Sequence, residues 1–248
     1  MKSQVEEKFC EYFEKWMSKL EDILHQLLMV SKERSTTATT LTSSDAELKA
    51  LVSKMTTHFK EYYTVKWASA HEDVLAFFCS VWLSPLENAY SWVTGWKPSM
   101  AFKLLDSLKK KRVLVDMTEE QERKINELRL KIKFDEEKVE REMERQQMAI
   151  AERKMVELGR LATRVRKGDD GLSGRVDGLV EVAFKAMLVG LEKVMKAADC
   201  VRLKTLKGVL DVLSPLQCVE FLAAICMLQI QLRHASDSAK ATGKQKQR

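Results

Sequence analysis

Residues that interrupt helices are scarce in this sequence. Its 248 residues include 3 prolines and 9 glycines, well below the usual share of each. Four of those glycines lie in a single segment, residues 167–178. Long stretches without either residue favour long helices, and the alternation of apolar and polar residues that marks a strand is nearly absent. The sequence therefore predicts an all-α fold.

Four segments carry the pattern of a helix N-terminus. Each has Ser or Thr followed three positions later by Glu or Gln, so that each side chain can bond the backbone amide of the other residue. Pro85 and Pro215 directly follow the capping residues Ser84 and Ser214, in a helical position that tolerates proline. The four segments are residues 44–47, 84–87, 118–121 and 214–217.

Apolar residues recur every three or four positions over residues 5–30. This spacing predicts a long first helix with one face in the core, followed by a loop rich in Ser and Thr. The stripe consists of Val5, Phe9, Phe13, Trp16, Leu20, Ile23, Leu27 and Val30.

The remaining pattern predicts one domain over residues 1–235. A long charged helix is expected from Thr118 to about Lys167, with a narrow apolar seam that could pack on the same fold or on another chain. Separate helices are predicted over residues 176–198, 203–213 and 215–233. The glycine-rich segment predicts a flexible loop over residues 168–178, and the basic residues 236–248 predict a disordered tail.

Composition narrows the compartment and the class of protein. Five cysteines without metal-binding spacing favour a reducing compartment, the cytosol or the nucleus. No run of 18 uncharged apolar residues occurs, so no membrane span is expected. The net charge of +6 includes the run Lys109, Lys110, Lys111 and Arg112. This run is either a nuclear-import patch or the solvated end of a helix.

No motif for catalysis or metal binding is found. The four histidines lack ligand spacing, and motifs for nucleophiles or phosphate loops are absent. Carboxylates lie beside basic residues on charged helix faces, which does not indicate an acid–base pair. We therefore expect no enzymatic activity, no metal site and a function in binding other proteins.

The first helix contains the best candidate for a partner-binding site, the sequence EYFEKW. Tyr12 and Trp16 lie one turn apart, with Phe13 and Glu14 between them. Aromatic side chains with a polar edge dominate the binding energy of many interfaces. The alternative is that Trp16 belongs to the core, as a member of the helical stripe, and that Tyr12 on a second face of the helix flanks it.

The segment WVTGWKPS predicts a structural corner. The helix that begins at Ser84 is expected to run to about Thr94, with Gly95 in the left-handed conformation that closes it. Pro98 is expected to start the next helix. Trp92 and Trp96 would then pack against both helices.

Two segments, WLSPLENAYSWVTGWKPSMAFKLLDSL and VLSPLQCVEFLAAICMLQIQLR, together resemble the plant delay-of-germination domain. The same domain forms the C-terminal part of the TGA-type bZIP transcription factors. The similarity extends from Phe9 to Leu232 and departs from the family pattern at Val93, Thr94 and Lys97. It implies an all-helical plant regulator without catalysis. The nucleus and cytoplasm are the expected compartments, and a homo-oligomer is one of the expected partners.

The resemblance also implies partners. Dormancy proteins of this family act in abscisic-acid signalling and bind clade-A type 2C protein phosphatases through an aromatic and acidic motif. Tyr12, Glu14 and Trp16 match that motif, whereas Lys15 stands where the family has an acid. Binding to transcription regulators is the related expectation, and a role as a pollen-aperture polarity factor is the alternative.

Two further family properties fit this sequence less well. Some members bind haem through paired histidines in the last helix, but this region contains only His234, so no haem is expected. TGA factors read DNA through a basic zipper, which this sequence lacks. A transcription-regulation factor with direct DNA binding is therefore a further alternative, ranked below the adaptor and the polarity factor.

Overall fold

The computed structural model describes residues 3–36, 45–114, 117–151 and 173–245, together with residues 156, 157, 159–161 and 163. The described residues form helices and connecting turns without strands, which confirms the all-α prediction. The helices are α1 (Gln4–Thr36), α2 (Asp45–Glu72), α3 (Leu75–Phe78), α4 (Pro85–Ala89), α5 (Met100–Lys110), α6 (Glu119–Ala151), α7 (Ser173–Val212) and α8 (Pro215–Gln245).

Helix α8 lies at the centre of the fold, in contact with α1, α2, α4 and α5. Its residues Phe221, Leu222 and Cys226 are completely buried. The stripe predicted for α1 faces this helix and α2, and its members from Phe9 to Leu27 are buried. The periodicity of the first thirty residues therefore located one wall of the core correctly.

Helices α6 and α7 pack side by side as an antiparallel pair. The seam residues Ile125, Ile132 and Val139 are buried. A Cβ added at Gly208 on α7 would lie 2.8 Å from the Leu128 side chain on α6, so glycine permits a close approach there. The charged helix thus packs on its own fold, which was one of the two alternatives left by the sequence.

Three predicted boundaries are wrong. Helix α7 begins at Ser173, inside the loop predicted over residues 168–178, and it continues unbroken through the gap predicted after residue 198. Residues 168–172 lie outside the described part of the chain. Helix α8 continues to Gln245, into the segment predicted as a disordered tail. The junction after residue 198 lies among the buried residues Ala198, Val201 and Leu206, and burial outweighs the weak local signal there.

The capping predictions are confirmed where the structure describes them. The Ser84 amide donates to Glu87 Oε2 at 2.7 Å, and the Glu87 amide donates to Ser84 Oγ at 3.2 Å. The same reciprocal bonds join Thr118 with Gln121 and Ser214 with Gln217. The segment that begins at Ser44 lies partly outside the described residues.

One segment among the described residues, Pro215–Ala235, is long and apolar enough to cross a membrane by length and composition. It is the first part of α8, the helix around which α1, α2, α4 and α5 pack. A central core helix passes the same test of length and composition, and 44% of this segment is buried within the fold.

Candidate functional site

Trp16 connects α1 to α2 through a close pair with His58. The two rings are stacked, with centroids 4.8 Å apart and planes 7° from parallel. Trp16 Nε1 donates to the His58 carbonyl at 3.2 Å, and His58 Nε2 lies 3.1 Å from the Trp16 carbonyl. Because a carbonyl only accepts, Nε2 carries the proton in this pair. Burial lowers the pKa of His58, which favours the neutral ring with its proton on Nε2.

Four residues of α1 were predicted to bind a partner, and the structure separates them into two groups. Phe13 and Trp16 are buried, with 1% and 4% of their surface exposed, so they belong to the core. Tyr12 is half-buried, and Glu14 is exposed. A partner that approaches the folded chain can reach Glu14 and the edge of Tyr12, but it cannot reach Phe13 or Trp16.

The Tyr12 hydroxyl is a buried polar atom without a hydrogen-bond partner in the described structure. Burial, with the charge of Glu61 as the second cause, raises the pKa of Tyr12 to about 12. The phenol therefore stays protonated at neutral pH and keeps an unused donor. An unsatisfied buried group of this kind costs free energy unless something bonds it.

Glu14 is held by Arg233, which reaches α1 from α8. Arg233 Nη2 donates to the Glu14 carboxylate, and Arg233 Nη1 donates to the Trp82 carbonyl at 3.2 Å. The guanidinium also lies over the Phe13 ring, 5.0 Å from its centroid. Arg233 thereby fixes the position of the acidic group on the outer side of α1.

A second cluster, far from α1 in sequence, surrounds the turn of residues 92–96. We call the three buried ionic side chains Lys66, Asp199 and Arg202 the buried charge cluster. Lys66 Nζ lies 2.9 Å from Asp199 Oδ1, and Arg202 Nη1 lies 2.5 Å from the same oxygen. Each of the three side chains is at most 1% exposed. Trp67 Nε1 donates to the other carboxylate oxygen at 3.0 Å.

The buried charge cluster bonds the backbone of this turn. Arg202 donates to the carbonyl oxygens of Trp92, Val93 and Trp96, the last two at 2.8 and 2.7 Å. Lys66 Nζ donates to the Thr94 carbonyl at 3.1 Å and to its hydroxyl at 3.0 Å. These bonds satisfy carbonyl groups that no helix or sheet could pair, which a buried turn requires.

The bonds also hold two residues in an unfavourable conformation. Val93 has φ of 42° and Thr94 has φ of 62°. β-branched residues rarely adopt the left-handed region, because their side chains crowd the backbone there. Such strain persists only where the surrounding structure determines the conformation. The buried charge cluster supplies that constraint.

Gly95 was predicted to supply the left-handed residue, and this part of the corner is wrong. Helix α4 ends at Ala89 rather than near Thr94, and the positive φ values belong to Val93 and Thr94. Gly95 is needed for space: a Cβ at this position would lie 3.0 Å from Arg202 Cζ. The buried guanidinium occupies the volume that any other side chain would take.

The remaining corner residues are placed close to their predicted positions. Pro98 is buried and precedes α5, which begins two residues later at Met100. Trp92 and Trp96 are half-buried and pack against the core. Trp92 Nε1 donates to Glu140 Oε1 on α6 at 2.9 Å. Trp92 thus joins the turn to α6, while packing of both indoles against the two flanking helices stays a prediction.

The basic run at residues 109–112 lies at the end of α5. Lys109 donates to Glu122 Oε1 at 2.6 Å, whereas Lys110, Lys111 and Arg112 are exposed. Cations at the C-terminal end of a helix are favoured by its dipole, whatever else they do. The use of this run for nuclear import stays a prediction.

The histidine of the last helix has an acidic neighbour. His234 Nε2 lies 3.7 Å from Glu21 Oε1, and the adjacent Arg233 is already bonded to Glu14. Within the described ranges, no group of three or more His, Cys, Asp or Glu side chains could hold a metal ion. The expectation that no haem is bound stays a prediction.

Sequence reasoning missed the buried charge cluster. Lys66 is 133 residues from Asp199, and no local pattern joins them. A signal was nevertheless present in α7. Asp199 and Arg202 fall one turn apart among the buried residues Ala198 and Leu206, and charged residues at core positions are almost always paired.

Comparison with known proteins identifies the family. Over 233 residues, the chain is 56% identical to the protein DOG1-like 4 of Arabidopsis thaliana, with 94% of each chain covered. The chain belongs to the DOG1 family. The model of this family, described as seed dormancy control, matches residues 24–107.

More distant relatives of this DOG1-family chain fall into two groups. The protein RESPONSE TO ABA AND SALT 1 of Arabidopsis thaliana is 28% identical over 230 residues, with 92% of this chain and 94% of the relative covered. The TGACG-sequence-specific DNA-binding protein TGA-2.1 of Nicotiana tabacum is 30% identical over 191 residues. That match covers 76% of this chain and 39% of the tobacco protein. These relatives are named as regulators and not as enzymes.

Proposed function

We propose that this chain is a non-enzymatic regulator of the seed-dormancy and abscisic-acid type, acting through protein–protein binding in the nucleus and cytoplasm. The observation that carries the proposal is the 56% identity with DOG1-like 4 across nearly the whole of both chains. The relative named for its response to abscisic acid and salt supports the same assignment. The partner class is a type 2C protein phosphatase or a transcription regulator, as the family resemblance implies.

The outer side of α1 is the binding surface proposed for this function. Glu14 presents a carboxylate that Arg233 holds in place, and Tyr12, two positions earlier on the same helix, is half-exposed. A partner that supplies a hydrogen-bond donor to Glu14 and an apolar group to the exposed part of the Tyr12 side chain would contact both residues. Phe13 and Trp16 support this surface from the core side and do not touch the partner.

The test reverses the charge of Glu14 without disturbing the core. Glu14 is 66% exposed, and surface ion pairs contribute about 0–1 kcal/mol to stability. Glu14→Lys should therefore keep the melting temperature of the wild-type protein. We expect its affinity for a clade-A type 2C phosphatase, measured by surface plasmon resonance, to fall at least tenfold. Lys15→Glu, which restores the acid of the family motif, should raise the affinity.

The matched control is Glu181→Lys on α7, because Glu181 is 64% exposed and also belongs to a surface ion pair, with Lys185. It should leave phosphatase binding unchanged. Equal binding by the wild-type protein and Glu14→Lys would exclude the α1 surface. If the wild-type protein binds no phosphatase of the clade, the partner class is wrong, while the family assignment still stands.

A second candidate is a polarity factor of the pollen-aperture type that assembles through α6. The observation in its favour is that Leu130, Phe134 and Met148 are more than half exposed on this helix. Exposed apolar side chains on one element indicate a contact surface. Light scattering at rising protein concentration distinguishes the candidates, because Leu130→Glu with Phe134→Glu should abolish any self-assembly and leave phosphatase binding intact.

A further inference from the structure

We propose that the chain binds a small neutral apolar molecule in a cavity that is lined by α1, α2, α4, α5, α7, α8 and the turn before α5 and is open to solvent on one side. The cavity has a volume of about 180 Å³. Its inner wall is aromatic and includes Phe13, Trp16, Phe59 and Tyr62. This site is separate from the outer side of α1, and the inference does not depend on the proposed function.

The size of the cavity determines what fits. Protein interiors are close-packed, and voids much larger than a water molecule are few. A cavity of roughly 150 Å³ lined by Leu, Ile and Phe stays dry and takes up benzene. The present cavity is slightly larger and is lined mainly by aromatic and aliphatic side chains. A substituted single ring or a branched aliphatic group of similar size would fill it.

The charged residues in the wall do not call for a charged ligand. Lys66 uses its three donors on Asp199 and on the two oxygens of Thr94. Both Asp199 oxygens accept bonds, from Lys66 and Arg202 on one side and from Trp67 on the other. An ionic ligand would have to displace one of these bonds and lose its own hydration. Arg202 donates to Asp199 and to three carbonyl groups of the turn, and Glu87 accepts from the Ser84 amide. The wall therefore selects against a carboxylate or an amine.

The cavity opens to solvent where its lining residues are exposed. Tyr90, Met100 and Leu228 line it and expose 64%, 38% and 41% of their surface. Ser91 and Gln229 also line the cavity, and each directly follows one of these exposed residues in the chain. Their side chains provide hydroxyl and amide groups at the solvent side. A neutral ligand with one hydroxyl group would place its ring inside and bond its hydroxyl at the opening.

The experiment uses three probes of one shape: toluene, p-cresol and p-toluate. Isothermal titration calorimetry on the full chain at pH 7 should detect binding of toluene and several-fold tighter binding of p-cresol. The p-toluate anion should bind at least tenfold more weakly than p-cresol. Intermolecular nuclear Overhauser effects from toluene to the methyl groups of Leu206 and Ile225 should locate the probe without any substitution.

Two variants fill the cavity from different helices. Leu104→Trp and Leu203→Phe each add volume to a lining residue, and each should reduce p-cresol affinity at least tenfold. Both variants are tested because either one could fail to fold when its core is overpacked. Thermal melting shows which variant is folded. Leu130→Trp, at a position 71% exposed outside the cavity, is the matched control and should bind p-cresol as the wild-type protein does.

Each contrary result overturns a defined part of the inference. Absence of toluene and p-cresol binding to the wild-type protein excludes the site. Unchanged affinity in a folded filling variant, or no Overhauser contact to Leu206 and Ile225, places binding elsewhere. Tighter binding of p-toluate than of p-cresol shows that the cavity prefers an anion. This result would contradict the argument that Lys66 and Asp199 have no hydrogen-bonding capacity left for a charged ligand.

Discussion

The buried charge cluster and the outer face of α6 are both rich in ion pairs, yet they differ in what those pairs can do. On α6, Arg123 pairs with Glu120 and Glu127, and each of these side chains is about half exposed. In the buried charge cluster, Lys66 and Arg202 share Asp199 away from solvent. Water and salt weaken the exposed ion pairs of α6. In the buried charge cluster, no water can replace a lost ionic partner.

The difference shows that an ion pair must be weighed by its surroundings. The exposed pairs lie on the surface of α6. This helix would form without them, because its packing against α7 already stabilises the helical conformation. The buried pairs determine a turn whose backbone is strained and whose carbonyl groups have no other donors. We therefore expect the two regions to respond very differently to single substitutions.

The largest effect is expected from Asp199→Asn. This change keeps the size of the side chain but leaves Lys66 and Arg202 buried without a counter-charge. Removing one partner of a buried pair costs about 3–5 kcal/mol of the free energy of unfolding, measured by urea denaturation. Asp211→Asn, an exposed position on the same helix, should cost less than about 0.5 kcal/mol. Equal stability of the two variants would contradict the structural role of the cluster.

Gly95→Ala should come next. Its Cβ would lie 3.0–3.2 Å from three atoms of the Arg202 guanidinium, and the bonds of that group leave it little room to move. Overpacking of this kind costs about 1–3 kcal/mol of the free energy of unfolding. Gly178→Ala is the control, because nothing lies within 4 Å of its Cβ and alanine favours a helix. Thermal melting should show opposite shifts for the two variants.

A smaller, pH-dependent effect should distinguish Lys66. Burial lowers the pKa of Lys66 to about 8, from 10.5 for the unperturbed side chain. Between these values the unfolded chain binds more protons than the folded one, so the contribution of Lys66 to stability rises with pH.

The measurement compares the wild-type protein with Lys66→Met, so that the ionisation of tyrosines and cysteines cancels. The difference in unfolding free energy should rise with pH above 8, by up to about 1.4 kcal/mol per pH unit. It should stay constant between pH 6 and 7, where the lysine is charged in both states. A constant difference up to pH 10 would show that Lys66 is not desolvated.

The smallest effect is expected from Arg123→Ala on α6. Its partners Glu120 and Glu127 remain hydrated when the guanidinium is removed, so no buried charge is created. The melting temperature should stay within experimental error at low and at high salt. A clear loss of stability that disappears at high salt would mean that the exposed pairs act as a network. Their contribution to stability would then be closer to that of the buried charge cluster.

Local chemistry allowed much of the fold to be predicted from sequence. The reciprocal caps at Ser84, Thr118 and Ser214 depend on residues three positions apart, and all three form as expected. The α1 stripe also placed Trp16 among core residues. Its assignment to a partner surface rested on residue type, whereas its three- and four-residue spacing already indicated burial.

The corner could be predicted only in part, because its conformation is decided by distant groups. Glycine before a Lys-Pro pair is typical of a helix end, and that local signal gave the wrong reason for Gly95. The actual reason is Arg202, which lies more than a hundred residues later. The candidate cavity was also out of reach of sequence reasoning, since its lining residues come from α1, α2, α5, α7 and α8.

The bonds of Arg202 have a consequence for the order of events during synthesis. Arg202 lies 106 residues after Trp96, whose carbonyl it binds. While the ribosome is still making α6, the turn has no donor for its carbonyl groups, and Lys66 has no carboxylate. Contacts this distant form late. The segment 24–107, by which the family is recognised, therefore completes its own structure only after α7 has emerged.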